Sequence, residues 1–85
     1  MEYRIGQIVR SKAGRDNGKA FIVVGVEDNY VYLSDGQTRK LESPKRKKLK
    51  HIQGSYSITE EIAARIKDGT AEDYMLRRFL GLIKE

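Results

Sequence analysis

Eighty-five residues without a cysteine make one small domain, whose thin core neither a disulfide nor a thiolate-bound metal can supplement. The net charge of +5 is concentrated in Arg39–Lys50 (RKLESPKRKKLK), which sets seven Lys/Arg against a single acid, Glu42, and leaves the rest nearly neutral. With one histidine, His51, and no cysteine, the chain lacks the partners for a hydrolytic pair or a metal site, so neither an enzyme nor a cofactor is expected.

The N-terminal segment MEYRIGQIVR carries Glu2, Arg4 and Arg10 and has no apolar core of signal-peptide length. The longest apolar run, Ala20–Val24, falls far short of a membrane span. A cytoplasmic protein with no membrane partner is the expectation. Ile5–Ser11 alternates imperfectly and reads as a strand. Lys12–Lys19 is a polar connection whose Asn17-Gly18 pair favours a turn, since both residues tolerate positive φ. Ala20–Val26 is β-branched and apolar, the clearest strand in the chain. Glu27-Asp28-Asn29 turns it into a second run, Tyr30–Ser34. Asp35-Gly36 predicts another hairpin turn and a return strand over Gln37–Leu41. Pro44 breaks that strand and leaves the basic residues after it in an exposed loop, with one last strand over Leu49–Gln53. Five short strands in about fifty residues predict a small, strongly bent barrel.

The character changes at Gly54. The expected division is a barrel over residues 1–53 and a helical appendage over 54–85. Ser57 or Thr59 can cap a helix in which Ile58, Ile62 and Ile66 form an apolar stripe. Gly69 is a natural terminator. Thr70 can cap a second helix from Ala71 to about Lys84, with Met75, Phe79, Leu82 and Ile83 on its apolar face. The expected fold class is therefore mainly β, with two short C-terminal helices.

The stretch from Gly6 to about Ile52 resembles the KOW domains of ribosomal and ribosome-associated RNA-binding proteins. Gly6-Gln7-Ile8-Val9 is similar to their opening strand, Gly14-Arg15-Asp16-Asn17-Gly18-Lys19 to the glycine-anchored loop, and Ala20–Val24 to the apolar second strand. The Asp35-Gly36 turn and the tract from Arg39 to Lys50 follow in the order seen in the L14-type large-subunit ribosomal proteins of archaea and eukaryotes. The resemblance implies an SH3-like barrel without catalytic activity or cofactor that docks on structured RNA, most often ribosomal RNA. The two helices have no counterpart in that pattern.

Cations clustered in this way suit a polyanion, because each neutralised phosphate releases condensed counterions. Lys45, Arg46, Lys47, Lys48 and Lys50 are the leading phosphate-binding residues, and Arg39 and Lys40 extend their surface. Lys12, Arg15 and Lys19 surround the glycine loop, where small residues let the backbone approach a phosphate. Phe21, Tyr30 and Tyr32 share the outer face of the sheet if Ala20, Ile22, Val24 and Val26 face the core opposite Val31 and Leu33. Exposed there, the three rings could stack on bases; the favoured reading is that the helices cover them. His51 is expected as a polar residue at a strand edge, and Tyr56 and Tyr74 as packing residues. RNA is thus the expected partner, with a protein-interaction role for the helices in transcription or translation as the alternative. An aromatic cage for a cationic peptide is disfavoured by the net charge, and phosphate neutralisation by itself does not separate RNA from DNA.

Overall fold

The computed structural model describes residues 2–81, and the side chains of all of these except 55 and 56. The molecule is mainly β, measuring 32 × 25 × 24 Å. Its strands are β1 (Gln7–Ser11), β2 (Ala20–Glu27), β3 (Tyr30–Ser34), β4 (Lys45–Lys48) and β5 (Ile52–Ile58), followed by helices α1 (Glu60–Asp68) and α2 (Asp73–Phe79). The strands form one antiparallel open sheet in the order β4-β3-β2-β1-β5.

The two edge strands are consecutive in sequence, joined only by a 3-10 turn, Leu49–His51. A flat sheet of five strands would hold its edges about 19 Å apart. The four residue steps from Lys48 to Ile52 reach at most about 14 Å, even fully extended. The sheet therefore curls, and the turn crosses the gap between its edges.

Curling creates an inner face, where Val9, Phe21, Val23, Val31, Leu33 and Ile52 are buried together. A second cluster lies on the outer face, where Ile22 meets Ile62 of α1 and Leu76 of α2, with Ile8, Leu41, Ile66, Met75 and Leu80 around them. This corrects the expected facing of β2: Phe21 and Val23 point inward, and Ile22 points outward. The cause is a bulge. Val23 pairs with Leu33, but the next pair is Gly25 with Tyr32, so Val24 is an extra residue. One inserted residue reverses the phase of everything before it. Val26, across from Val31, keeps the expected side but is 47% exposed and outside the core, and the residues upstream of the bulge are reversed.

The expected return strand over Gln37–Leu41 is absent. The Asp35 carboxylate accepts bonds from the backbone N–H groups of Gln37 and Arg39 and from the Thr38 hydroxyl (2.7–2.9 Å), and these fold residues 35–41 into a compact loop. The strand that returns along β3 is instead the basic tract, with Lys45 opposite Leu33 and Lys48 opposite Tyr30. A lysine-rich strand at an edge is one way that sheets discourage pairing with other chains. The last strand also extends past Gln53: β5 runs to Ile58 and pairs with β1 as far as Gln7, so the expected boundary at Gly54 falls inside a strand.

In α1, Thr59 takes the N-cap position, yet its hydroxyl donates to the Gly6 carbonyl (3.0 Å) rather than capping. Gly69 ends the helix in the left-handed region, as expected. Thr70 bonds Asp68, and Glu72 takes the N-cap of α2. The expected extension of α2 to Lys84, with Leu82 and Ile83, and the packing of Tyr56 lie outside the described residues. Two bonds fasten α2 to the 35–41 loop: Leu41 N–H to the Asp73 carboxylate (2.8 Å) and Arg77 to the Gly36 carbonyl (2.6 Å).

Gly36 sits at φ 76° directly against Asp73, and a Cβ there would overlap the Asp73 carbonyl. Gly36→Ala should therefore push α2 away from the loop, at a cost of about 2 kcal/mol. A thermal melt should drop by roughly 10 °C; an unchanged melting temperature would mean that this contact does not hold the helix.

Candidate nucleic-acid interface

Side chains alternate across a strand, so the four consecutive cations of β4 divide between its two faces. Lys45 and Lys47 share the inner face with their cross-strand partners Leu33 and Val31. At the end of the inner core they meet Asp16, carried in by the β1–β2 loop. Lys47 Nζ donates to Asp16 Oδ1 and to the Ala13 carbonyl, both at 2.8 Å, and Lys45 Nζ lies 2.8 Å from Asp16 Oδ2. Ser11 adds a hydroxyl bond to the same carboxylate at 2.7 Å. The side chains of Lys47 and Asp16 are only 8% and 10% exposed. Burial pushes the Asp16 carboxyl up, but the bonds from Lys45, Lys47 and Ser11 and the charge of Lys47 outweigh it and hold the group well below the usual carboxylate range. Lys45 and Lys47, expected at phosphates, are structural residues here.

Arg46 and Lys48 occupy the outer face, directly across from Tyr32 and Tyr30. The Arg46 guanidinium lies 3.6 Å from the centroid of the Tyr30 ring. Glu27 on β2 accepts the Tyr32 hydroxyl bond (3.1 Å) and stands 3.8 Å from Arg46. Arg46 remains 53% exposed, Lys48 and Lys50 are exposed, and both tyrosines are half-buried. Among the described residues no acid pairs with Lys48 or Lys50. The helices cover the Ile22 half of the outer face and stop short of this strip, so Tyr30 and Tyr32 are not the helix-covered core residues that the favoured reading made them. Phe21, placed with them in sequence, is 1% exposed in the inner core and presents no face to a base.

The remaining expected cations are on loops. Lys12, Arg15 and Lys19 are exposed on the β1–β2 loop, and Arg39 and Lys40 on the 35–41 loop. The loop glycines Gly14 and Gly18 have φ of 80° and 86°, while the loop's own carboxylate turns inward. The Lys12 N–H bonds the His51 carbonyl (2.7 Å), which holds the start of the loop against the residue that follows Lys50. His51 thus contributes its backbone to joining loop and tract. Linear reading missed the partners of these groups: Asp16 is about thirty residues from Lys47 in sequence, and Glu27 meets Arg46 only across two strand pairings. Cross-strand register would have found Glu27, since it stands opposite Tyr30.

Among the described residues no cluster of His, Cys, Asp and Glu could hold a metal ion, and no helix is long and apolar enough to cross a membrane. The chain matches no protein-family model, and a search of curated proteins returns no match.

The Asp16 cluster predicts a pH dependence of stability. The folded carboxyl is more acidic than its unfolded counterpart, near pH 3.9. Its stabilisation is therefore complete above about pH 4 and is lost as the pH falls toward the folded value. Asp16→Asn should cost about 3 kcal/mol at pH 7, because two lysines lose their counterion. In urea melts the gap between the two proteins should close below pH 4. A gap that stays constant from pH 7 to pH 2 would refute the ion-pair account.

Proposed function

We propose that the chain is a non-enzymatic RNA-binding protein of the KOW type, its curled sheet a small SH3-like barrel, acting on ribosomal or other structured RNA. The observation that carries this reading is the uncovered strip of the outer face, where Arg46, Lys48 and Lys50 stand exposed beside Tyr30 and Tyr32. Phosphates supply affinity for such a surface, and aromatic rings supply contacts that tolerate any base. The bond between Lys12 and His51 supports the reading further, since it holds the start of the glycine loop against the end of the tract. Docking is electrostatic, with the outward cations on phosphates and the loop following the shape of the backbone.

The alternative, a protein-interaction module working through the helices in the transcription or translation machinery, is the weaker reading. The best apolar residues of both helices, Ile62 and Leu76, are fully occupied by the sheet, leaving only Tyr74 and Phe79 substantially exposed among the large apolar side chains of α2.

Replacing Arg46, Lys48 and Lys50 together with Ala should lower RNA affinity at least tenfold near 0.1 M salt. It should also flatten the dependence of log K on log salt by about 2, at roughly 0.7–0.9 per lost phosphate contact. Lys47→Ala should instead lower the melting temperature through loss of an Asp16 partner. If the triple variant keeps the parent's salt slope, the tract is not the RNA site.

A further inference from the structure

We infer that the outer strip is built for single-stranded RNA and holds two successive nucleotides, one at Tyr32 with Arg46 and one at Tyr30 with Lys48. This rests on the RNA reading above and names the form of RNA that the surface takes. The first observation is the register: each tyrosine has a cation as its direct cross-strand neighbour, and the pair repeats after two residues. A ring and a cation side by side match the two parts of a nucleotide, a flat base and a charged phosphate.

The second observation is that each ring borders its own concavity. Tyr32 lines a groove of about 410 Å³ with Gly25, Leu41, Pro44 and Ile66, between the sheet and the end of α1. Tyr30 lines another of about 420 Å³ with Asn29, Leu49, Lys48 and Lys50. Both are grooves open to solvent rather than enclosed pockets. The first is walled mainly by apolar groups and suits a base, while the second has two ammonium groups at its rim and suits a base with its phosphate. Gly25 is what lets the ring lie close, since a Cβ there would come within 3.2 Å of Tyr32.

The spacing excludes a duplex. Rings two residues apart on one strand are separated by about 6.7 Å, whereas successive bases stacked in a helix are about 3.4 Å apart. Only an unstacked strand can place neighbouring bases at both rings, and paired bases present no free face at all. Arg46 reaches diagonally over Tyr30 and covers one face of its ring, so on that side its planar guanidinium is itself the surface on which the second base stacks. Glu27 holds the Tyr32 hydroxyl and faces Arg46, fixing ring and cation before the ligand arrives, which lowers the ordering cost of binding.

The test is fluorescence anisotropy of the full chain with a labelled single-stranded oligouridine and a labelled RNA duplex of equal length. The parent should prefer the single strand by about tenfold or more. Tyr32→Leu, which keeps an apolar side chain over Gly25, should weaken single-strand binding by about 5- to 150-fold, the range for one stacked base. Its salt slope should not change, because no phosphate contact is lost. Tyr32→Phe should stay within about twofold of the parent. Lys48→Ala should reduce the single-strand slope by about 0.7. The chain contains no tryptophan, so quenching of tyrosine emission by the oligouridine reports stacking in the unmutated protein. Preference for the duplex, undiminished single-strand affinity in a folded Tyr32→Leu, or binding without quenching would each overturn the two-nucleotide strip while leaving RNA binding in place. Absence of salt-dependent binding to either RNA would overturn the RNA reading itself.

Discussion

A single carboxylate, Asp16, set between the ammonium groups of Lys45 and Lys47, ties the edge strand β4 to the β1–β2 loop. β4 places no apolar side chain among the residues of the inner core: its two inward residues are both lysines. What attaches it, beyond the ladder to β3, is the bridge to the β1–β2 loop. That bridge also links sequence-distant parts of the sheet, because the loop leaves β1, the neighbour of one edge strand, and reaches the other edge. In a domain of this size total stability is only about 5–10 kcal/mol, and a buried carboxylate stripped of its cations would consume a large part of it. Ser11 and the Ala13 carbonyl complete the cluster, supplying the further hydrogen bonds that a buried charge requires.

Much of the architecture was legible in the chain. β2 and β3 announced themselves by β-branched and aromatic residues, and α1 by Ile62, Ile66 and terminal Gly69, although Ile58, expected on the same stripe, ends β5 instead. Three features were not, each for a physical reason. The bulge at Val24 depends on how β2 meets β3, and a uniformly apolar run gives no sign of where its phase reverses. The 35–41 loop was read as a hairpin because Asp-Gly favours one, while the Asp35 side chain offers three competing bonds that only its folded geometry reveals. Burial pushes the Asp35 carboxyl up, but those backbone and hydroxyl donors prevail and hold it below its ordinary value. Finally, four consecutive cations carry no apolar alternation, so a strand built from them is invisible to pattern reading. Its assignment rests on pairing with β3.

The site was legible in composition and illegible in arrangement. A run of charge read as a loop predicts that every cation faces solvent. The same run in a strand divides by twos, so Lys45 and Lys47 brace the fold while Arg46 and Lys48 face outward. The tyrosines follow the same rule from the neighbouring strand. Tyr30 and Tyr32 stand outside because Val31 and Leu33 stand inside, and Phe21 was separated from them by the one-residue bulge. Charge counting therefore overstates the number of cations available to a ligand and says nothing of their spacing, which the strand repeat sets.

The helices decide where the outer surface stays open. Ile62 and Leu76 cover Ile22, and two hydrogen bonds, one at each end of α2, anchor it to the 35–41 loop. That anchoring positions Leu41, while the end of α1 positions Ile66, and these two residues form one wall of the groove beside Tyr32. With α1 displaced, the Ile22 half of the sheet would join the aromatic strip as one wide apolar surface, of the kind that attracts partners without discrimination. With α1 in place, that surface narrows to a cleft with cations along one side. Since β5 leads directly into α1, and both helices pack on the sheet, the shape of the proposed RNA site depends on α1 and α2 as much as on the basic tract.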